Sequence, residues 1–219
     1  MDKKNKNMRK IFIIIAFSVI CGNIFSQNGR KLTESERQVF EQKMIEHSQK
    51  IKTLQCFFVQ EKTSSLVSEK AVTKGIMMYQ SPVMLRWEYT EPTPSTLILN
   101  GNDAVLLDKS GKKIGNEKML KQLGNIIISM INGSGIAQNK QFSAEFYENN
   151  SEMLVILTPI QKRLKDIYNT IELRIDTKTM LANSITLNEK VGDKMVILLT
   201  NKVLNSEIPK SKFEIKNVH

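Results

Sequence analysis

The sequence predicts an α+β fold in which an antiparallel sheet or barrel is accompanied by two helices. Three observations carry this. About ten short runs of period-two alternation follow one another between residues 58 and 216, and turn residues separate them. Only two stretches, 33–54 and 117–131, have helical spacing instead. Strands in series with no helix between them build antiparallel meanders, because parallel neighbours need a long crossover.

Residues 1–26 stand apart from this pattern. Lys3, Lys4, Lys6, Arg9 and Lys10 form a basic head, Ile11 to Ile20 is apolar except for Ser18, and Ser26 sets a small residue before Gln27. That is the layout of a secretory signal peptide, and ten apolar residues are too few to span a bilayer. The expectation is export to the periplasm, with 27–219 left as a single domain. Cys21 offers an alternative, since bacterial lipoproteins are cut before a cysteine that is then acylated. Ile20 is bulky for the residue before such a cut, and Ser18 stands where a Leu is usual.

Composition narrows the chemistry. The 32 Lys and Arg exceed the 22 Asp and Glu to give +10. Loss of the leader removes a net +4 and leaves +6 over 193 residues. The basic residues are scattered, without an aromatic stacking platform, so nucleic acid is not expected as a partner. Two Cys and two His leave nothing for a zinc finger or a disulfide framework, and no metal or other cofactor is implied. No nucleophile elbow, phosphate loop or ligand-spaced Cys pair occurs, so no catalytic residue is assigned and enzyme activity is not expected. Cys56, in Leu54-Gln55-Cys56-Phe57-Phe58, reads as a buried small hydrophobe.

The first helix opens on Thr33-Glu34-Ser35-Glu36, a capping box. Val39, Phe40, Met44, His47, Ile51 and Leu54 recur along one face. His47 has no neighbouring ligand residue and reads as a half-buried core histidine. Strand-like runs follow at 58–60, 73–79, 83–89, 96–99 and 104–107. Ser81-Pro82, Glu91-Pro92-Thr93-Pro94 and Asn100-Gly101 separate them, the last a hairpin signal. Further runs lie at 141–147, 152–158, 167–176, 179–189, 193–203 and 212–216. Residues 117–131, closed by Asn132-Gly133-Ser134-Gly135, are apolar nearly all round in their second half. Such a helix is either a buried core element or a cover over an apolar cavity. Nine methionines in the mature chain suit irregular apolar space, whether in a core or in a site for acyl chains.

One stretch resembles a known family. Gly75-Ile-Met-Met-Tyr-Gln-Ser-Pro82 leads into Val-Met-Leu-Arg86-Trp87-Glu-Tyr89-Thr-Glu-Pro92, with Phe58-Val59-Gln60 before and Leu97-Ile98-Leu99-Asn100-Gly101 after. Together these are similar to the LolA family of periplasmic lipoprotein carriers over about residues 54–108, and Phe213-Glu214-Ile215 resembles the family's closing strand. The resemblance implies an incomplete, strongly curved barrel whose apolar concave face lies under helices. It also implies carriage of lipoprotein acyl chains from an inner-membrane lipoprotein-releasing transporter to an outer-membrane acceptor, by a monomer. The helix 117–131 then becomes a lid, with Met119, Leu120, Leu123, Ile126, Ile127, Met130 and Ile131 as its apolar residues.

Strand parity refines the expected cavity. Leu85, Trp87 and Tyr89 share one face, while Met84, Arg86 and Glu88 share the other, which should meet water. Met77 and Tyr79, Leu97 and Leu99, and Phe58 complete the set of cavity residues. The methionines are expected on the lid and on the strands that face it. Ser81 departs from the family, which has a lid-latching arginine immediately before the first Pro. Three alternatives use the same half-barrel: a carrier of another lipid or glycolipid, a membrane-tethered acceptor of the LolB type if Cys21 is acylated, and a lipid-sensing regulatory module.

Overall fold

The computed structural model describes residues 29–66, 70–131, 136 and 141–215, without the side chains at 119, 122, 123, 129 and 130. The expected leader with Cys21, and the turn expected at 132–135, lie outside the described residues. The strands are β1 (Arg30–Lys31), β2 (Thr53–Thr63), β3 (Lys70–Gln80), β4 (Met84–Glu91), β5 (Ser95–Asn100) and β6 (Asp103–Asp108). They continue as β7 (Lys113–Ile114), β8 (Phe142–Asn149), β9 (Glu152–Pro159), β10 (Tyr168–Asp176), β11 (Ala182–Glu189) and β12 (Lys194–Leu204). The helices are α1 (Glu34–Ser48), α2 (Glu117–Ile131) and the single turn α3 (Lys162–Lys165), and a 3₁₀ turn spans Lys210–Phe213.

All twelve strands pair antiparallel in one sheet, ordered β1-β8-β9-β10-β11-β12-β2-β3-β4-β5-β6-β7. Two meanders, β2–β7 and β8–β12, meet where β12 pairs with β2. The sheet does not close, because β1 and β7 end as opposite edges. This order obliges the helices to cross it. The chain leaves edge strand β1 and returns at mid-sheet β2, so α1 makes that crossing. It leaves edge strand β7 and returns at β8, so the segment containing α2 spans nearly the whole sheet. Bulges at Lys74/Gly75, Arg174/Ile175 and Thr200/Val203 add local twist and curvature.

Side-chain alternation puts one continuous apolar surface on the concave side. The odd residues of β3, β4, β5, β9 and β10 face it, as do the even residues at the start of β2 and in β6 and β8. A single core cluster joins Leu54, Met77, Leu85, Leu97, Val155, Ile171 and Leu173 to Phe40 and Met44 of α1 and Leu120 and Ile128 of α2. The core of the protein is therefore the space between the sheet and its two crossing helices.

Local chemistry accounts for the element ends. Thr33 caps α1 as a complete capping box, with the Glu36 carboxylate accepting from Thr33 N–H at 2.8 Å. Asp176 Oδ1 accepts from the Lys178 and Thr179 N–H groups in the β10–β11 turn. The tight turn between β5 and β6 is Gly101-Asn102, one residue later than the Asn-Gly signal predicts. Gly101 alone takes positive φ there, at 61°, and a glycine suits the first central position of a two-residue loop.

Two expectations about the outer face are corrected. The strand expected at 212–216 is not formed by its described residues, 212–215: Lys210–Phe213 is a 3₁₀ turn that packs on the convex side of β4 and β5. Phe213, fully buried, gathers Met78, Ile208, Ile76 and Met84 into a second small core. The side carrying Met84, Arg86 and Glu88 therefore does not simply meet water. Arg86 donates to the Lys212 carbonyl and pairs with Glu88 at 2.7 Å, and Asn100 donates to the Phe213 carbonyl. Met78 and Met84 lie on this convex side, whereas Met44, Met77 and Met153 are buried in the concave core. Sequence alternation shows which residues share a face, but not that a distant segment returns to cover it.

Candidate functional site

The predicted cavity residues come together on one surface. Phe58, Met77, Tyr79, Leu85, Trp87, Leu97 and Leu99 are all buried, and Tyr89 is half-buried against them. Register explains the assembly: Cys56 pairs with Met77 and Met77 with Trp87, which in turn pairs with Leu97. One residue from each strand thus stands at each level across the concave face. An aromatic group marks its middle. The Phe58 ring lies 4.4 Å from Trp87 and meets Tyr89 edge-on at 5.3 Å. Phe58 can reach them because it lies over Gly75, its cross-strand partner, where a Cβ would stand 2.5 Å from the ring.

The helices lie over this face. In α2, Leu120 and Ile128 are buried, and Ile127 and Ile131 pack against the same cluster. Ile126 is partly buried. The side chains of Met119, Leu123 and Met130 lie outside the described residues. The helix packs closely on the sheet at Gly124, where a Cβ would come within 3.0 Å of the Leu99 side chain. The first helix covers the other half, with Phe40 meeting Phe146 of β8 at 6.0 Å in an edge contact.

Half of the surface went unassigned in the sequence. Phe142, Phe146, Val155, Leu157, Ile171, Leu173, Ile175, Ile185 and Ile197 extend it across β8–β12. Their strict alternation was a usable signal, since all the strands of one curved sheet must share an inner face.

The chemistry of the face is neutral and almost wholly apolar. Its thiol, Cys56, is 1% exposed, and burial pushes it up to about 12, so no thiolate forms near neutral pH. Burial likewise raises Tyr79 and Tyr89 above the ordinary phenol range. His47 is half-buried, as the sequence suggests, and its Nδ1 has no hydrogen-bond partner. Ser81, where the family carries its latch arginine, is exposed and donates its backbone N–H to the Lys52 carbonyl. Among the described residues no group of three or more His, Cys, Asp or Glu stands together as a metal site would need. No helix among them is long and apolar enough to cross a membrane.

An open antiparallel half-barrel with an apolar inner face under two crossing helices defines a scaffold for apolar contacts. The family model for Outer membrane lipoprotein carrier protein LolA matches residues 49–216, and the chain belongs to this family. A protein named outer-membrane lipoprotein carrier protein from Pseudomonas fluorescens is 24% identical over 207 residues, covering 94% of this chain and 93% of its own. One of the same name from Pseudomonas syringae pv. tomato is 23% identical over 213 residues, covering 95% of each chain. Among solved structures, the MucA/MucB complex of Pseudomonas aeruginosa contains a chain that aligns with TM-score 0.50. It covers 82% of this chain and 60% of that one at 8% identity, a likeness of fold alone.

Proposed function

We propose that this protein is a periplasmic carrier that holds the acyl chains of lipoproteins against its concave face and moves them from inner to outer membrane. A donor transporter and an outer-membrane acceptor are its implied partners, and it works as a monomer without covalent chemistry. Family membership supports the cargo class. The observation that carries the mechanism is the continuous apolar inner face covered by α2, a helix that meets it at a glycine.

Energetics explain why the cover should be apolar. Each CH₂ taken out of water gains about 0.8 kcal/mol, so three long chains in a permanently open groove would be held too tightly to release. A helix that already occupies the groove offsets that gain. Leu120 and Ile128 exchange their place in the inner core for contacts with cargo, and net affinity is the difference between the two states.

The test follows from Gly124. An ideal Cβ there lies 3.5 Å from the Leu99 Cβ, within disulfide reach. The double variant Leu99→Cys/Gly124→Cys should cross-link on oxidation, lose uptake of acylated lipoprotein, and regain it on reduction. Equal uptake by the oxidised and reduced forms would show that α2 does not gate the site. Leu85→Glu provides a second measurement. It should retain a folded circular dichroism spectrum while losing co-purifying lipid.

A further inference from the structure

Within the apolar face, one group of polar atoms is incompletely paired. Gln60 of β2 is the cross-strand partner of Thr73 of β3, and both lie beyond the Phe58–Gly75–Tyr89 row toward one end of the sheet. Tyr89 donates its hydroxyl to Gln60 Oε1 at 3.3 Å. Thr73 Oγ1 is buried and has no hydrogen-bond partner. Trp87, 3% exposed, has its Nε1 buried within reach of the Tyr89 phenol but without a hydrogen bond of normal geometry. Burying such groups unpaired is costly, and native structures seldom do so without a reason.

The balance of donors and acceptors defines what would satisfy them. An indole N–H can only donate, a threonine hydroxyl can donate, and the Gln60 amide keeps its Nε2 hydrogens while its oxygen is engaged. Trp87 Nε1 and Gln60 Nε2 can be satisfied only by an acceptor, and Thr73 Oγ1 can donate to the same one. Among the described residues, the cation next on the same face of β2, Lys62, is held by Glu189 at 3.6 Å and Asp193 at 3.5 Å. A neutral acceptor therefore fits better than a carboxylate or a phosphate, either of which would need an available positive charge in so apolar a place.

We propose that Gln60, Thr73 and Trp87 form a polar subsite in the concave face that receives the ester or amide carbonyls joining acyl chains to their carrier. This rests on the acyl-carrier reading and deepens it. The chains would lie along the apolar surface, while their linkage carbonyls stop at these donors. The subsite would set how far the cargo enters, and it would favour acylated cargo over free fatty acid.

The probes are two synthetic cysteinyl peptides of equal chain length. In one, three chains are joined through two esters and an amide; in the other, through ether and alkyl links. Wild-type protein should prefer the carbonyl-linked peptide roughly tenfold, the effect of one or two neutral hydrogen bonds. Thr73→Val, which keeps the shape and removes an unpaired hydroxyl, should lose roughly fivefold for that peptide and nothing for the other. Gln60→Met is the second variant and should behave alike, with thermal unfolding confirming that both remain folded. If the variants weaken both peptides equally, or neither, the subsite is wrong while the carrier reading stands. If folded wild-type protein binds neither peptide, the carrier reading itself falls, and the subsite with it.

Discussion

At Gly75 an added Cβ would stand 2.0 Å from the Glu88 carbonyl oxygen and 2.5 Å from the Phe58 ring. The backbone oxygen cannot move aside, so Gly75→Ala should cost at least ~3 kcal/mol in chemical denaturation, as overpacking against rigid atoms does. The glycine that leads its strand in the sequence motif is thus explained by an aromatic ring lying over it. Cys56 behaves in the opposite way, as a residue that takes part in nothing. Its thiol is pushed up to about 12 by burial, so a thiol reagent at pH 8 should leave the native protein untouched and react fully once guanidinium unfolds it. Rapid labelling of native protein would show that the core opens at β2. The sequence indicated Cys56 as a buried small hydrophobe, whereas the pairing of Gly75 with Phe58 is visible only in the structure.

At the scale of elements, α1 depends on its first turn. The Arg30 guanidinium, then the Thr33 backbone N–H and hydroxyl, hold the Glu36 carboxylate at about 2, below its ordinary 4.5. A lowered carboxyl favours the folded state above its unfolded value and loses that support as the pH falls through the folded one. Thermal stability should therefore decline between about pH 4.5 and pH 2. Glu36→Gln should flatten that part of the profile, and an unchanged slope would place the acid sensitivity elsewhere. Thr33→Ala removes the cap itself and should cost about 1 kcal/mol. The capping box was legible because it is local: four consecutive residues contain all the donors and acceptors. The bounds of α2 were equally legible from its apolar run, Glu117–Ile131 in both sequence and structure. Its close packing at Gly124 against Leu99 was not, since 24 residues and an edge of the sheet intervene.

The whole molecule is a sheet with two covered sides. The inner side is covered by α1 and α2, and part of the outer side by the segment ending at Phe213. Phe213→Ala should cost ~3–5 kcal/mol in chemical denaturation, because its ring is fully buried between Met78 and Ile208. Acyl-chain binding by the protein that remains folded should be unchanged, since the outer core does not touch the inner face. A parallel loss of binding would show that the strap sets the curvature of the sheet.

What the sequence determined by itself was everything carried by short-range periodicity. The alternation placed Leu85, Trp87 and Leu99 on a common face, the turn residues divided the strands, and the absence of ligand and nucleophile patterns left a surface for apolar contact. Tertiary structure decided which strands are neighbours, that β8–β12 complete the inner face, and that 208–213 cover the outer one. It also decided that Thr73 and Trp87 bury polar atoms without partners. The joining of β12 to β2 and the return of 208–213 onto β4 and β5 depend on contacts between residues a hundred or more positions apart. Strand alternation repeats every two residues and carries no record of which distant strand will lie alongside.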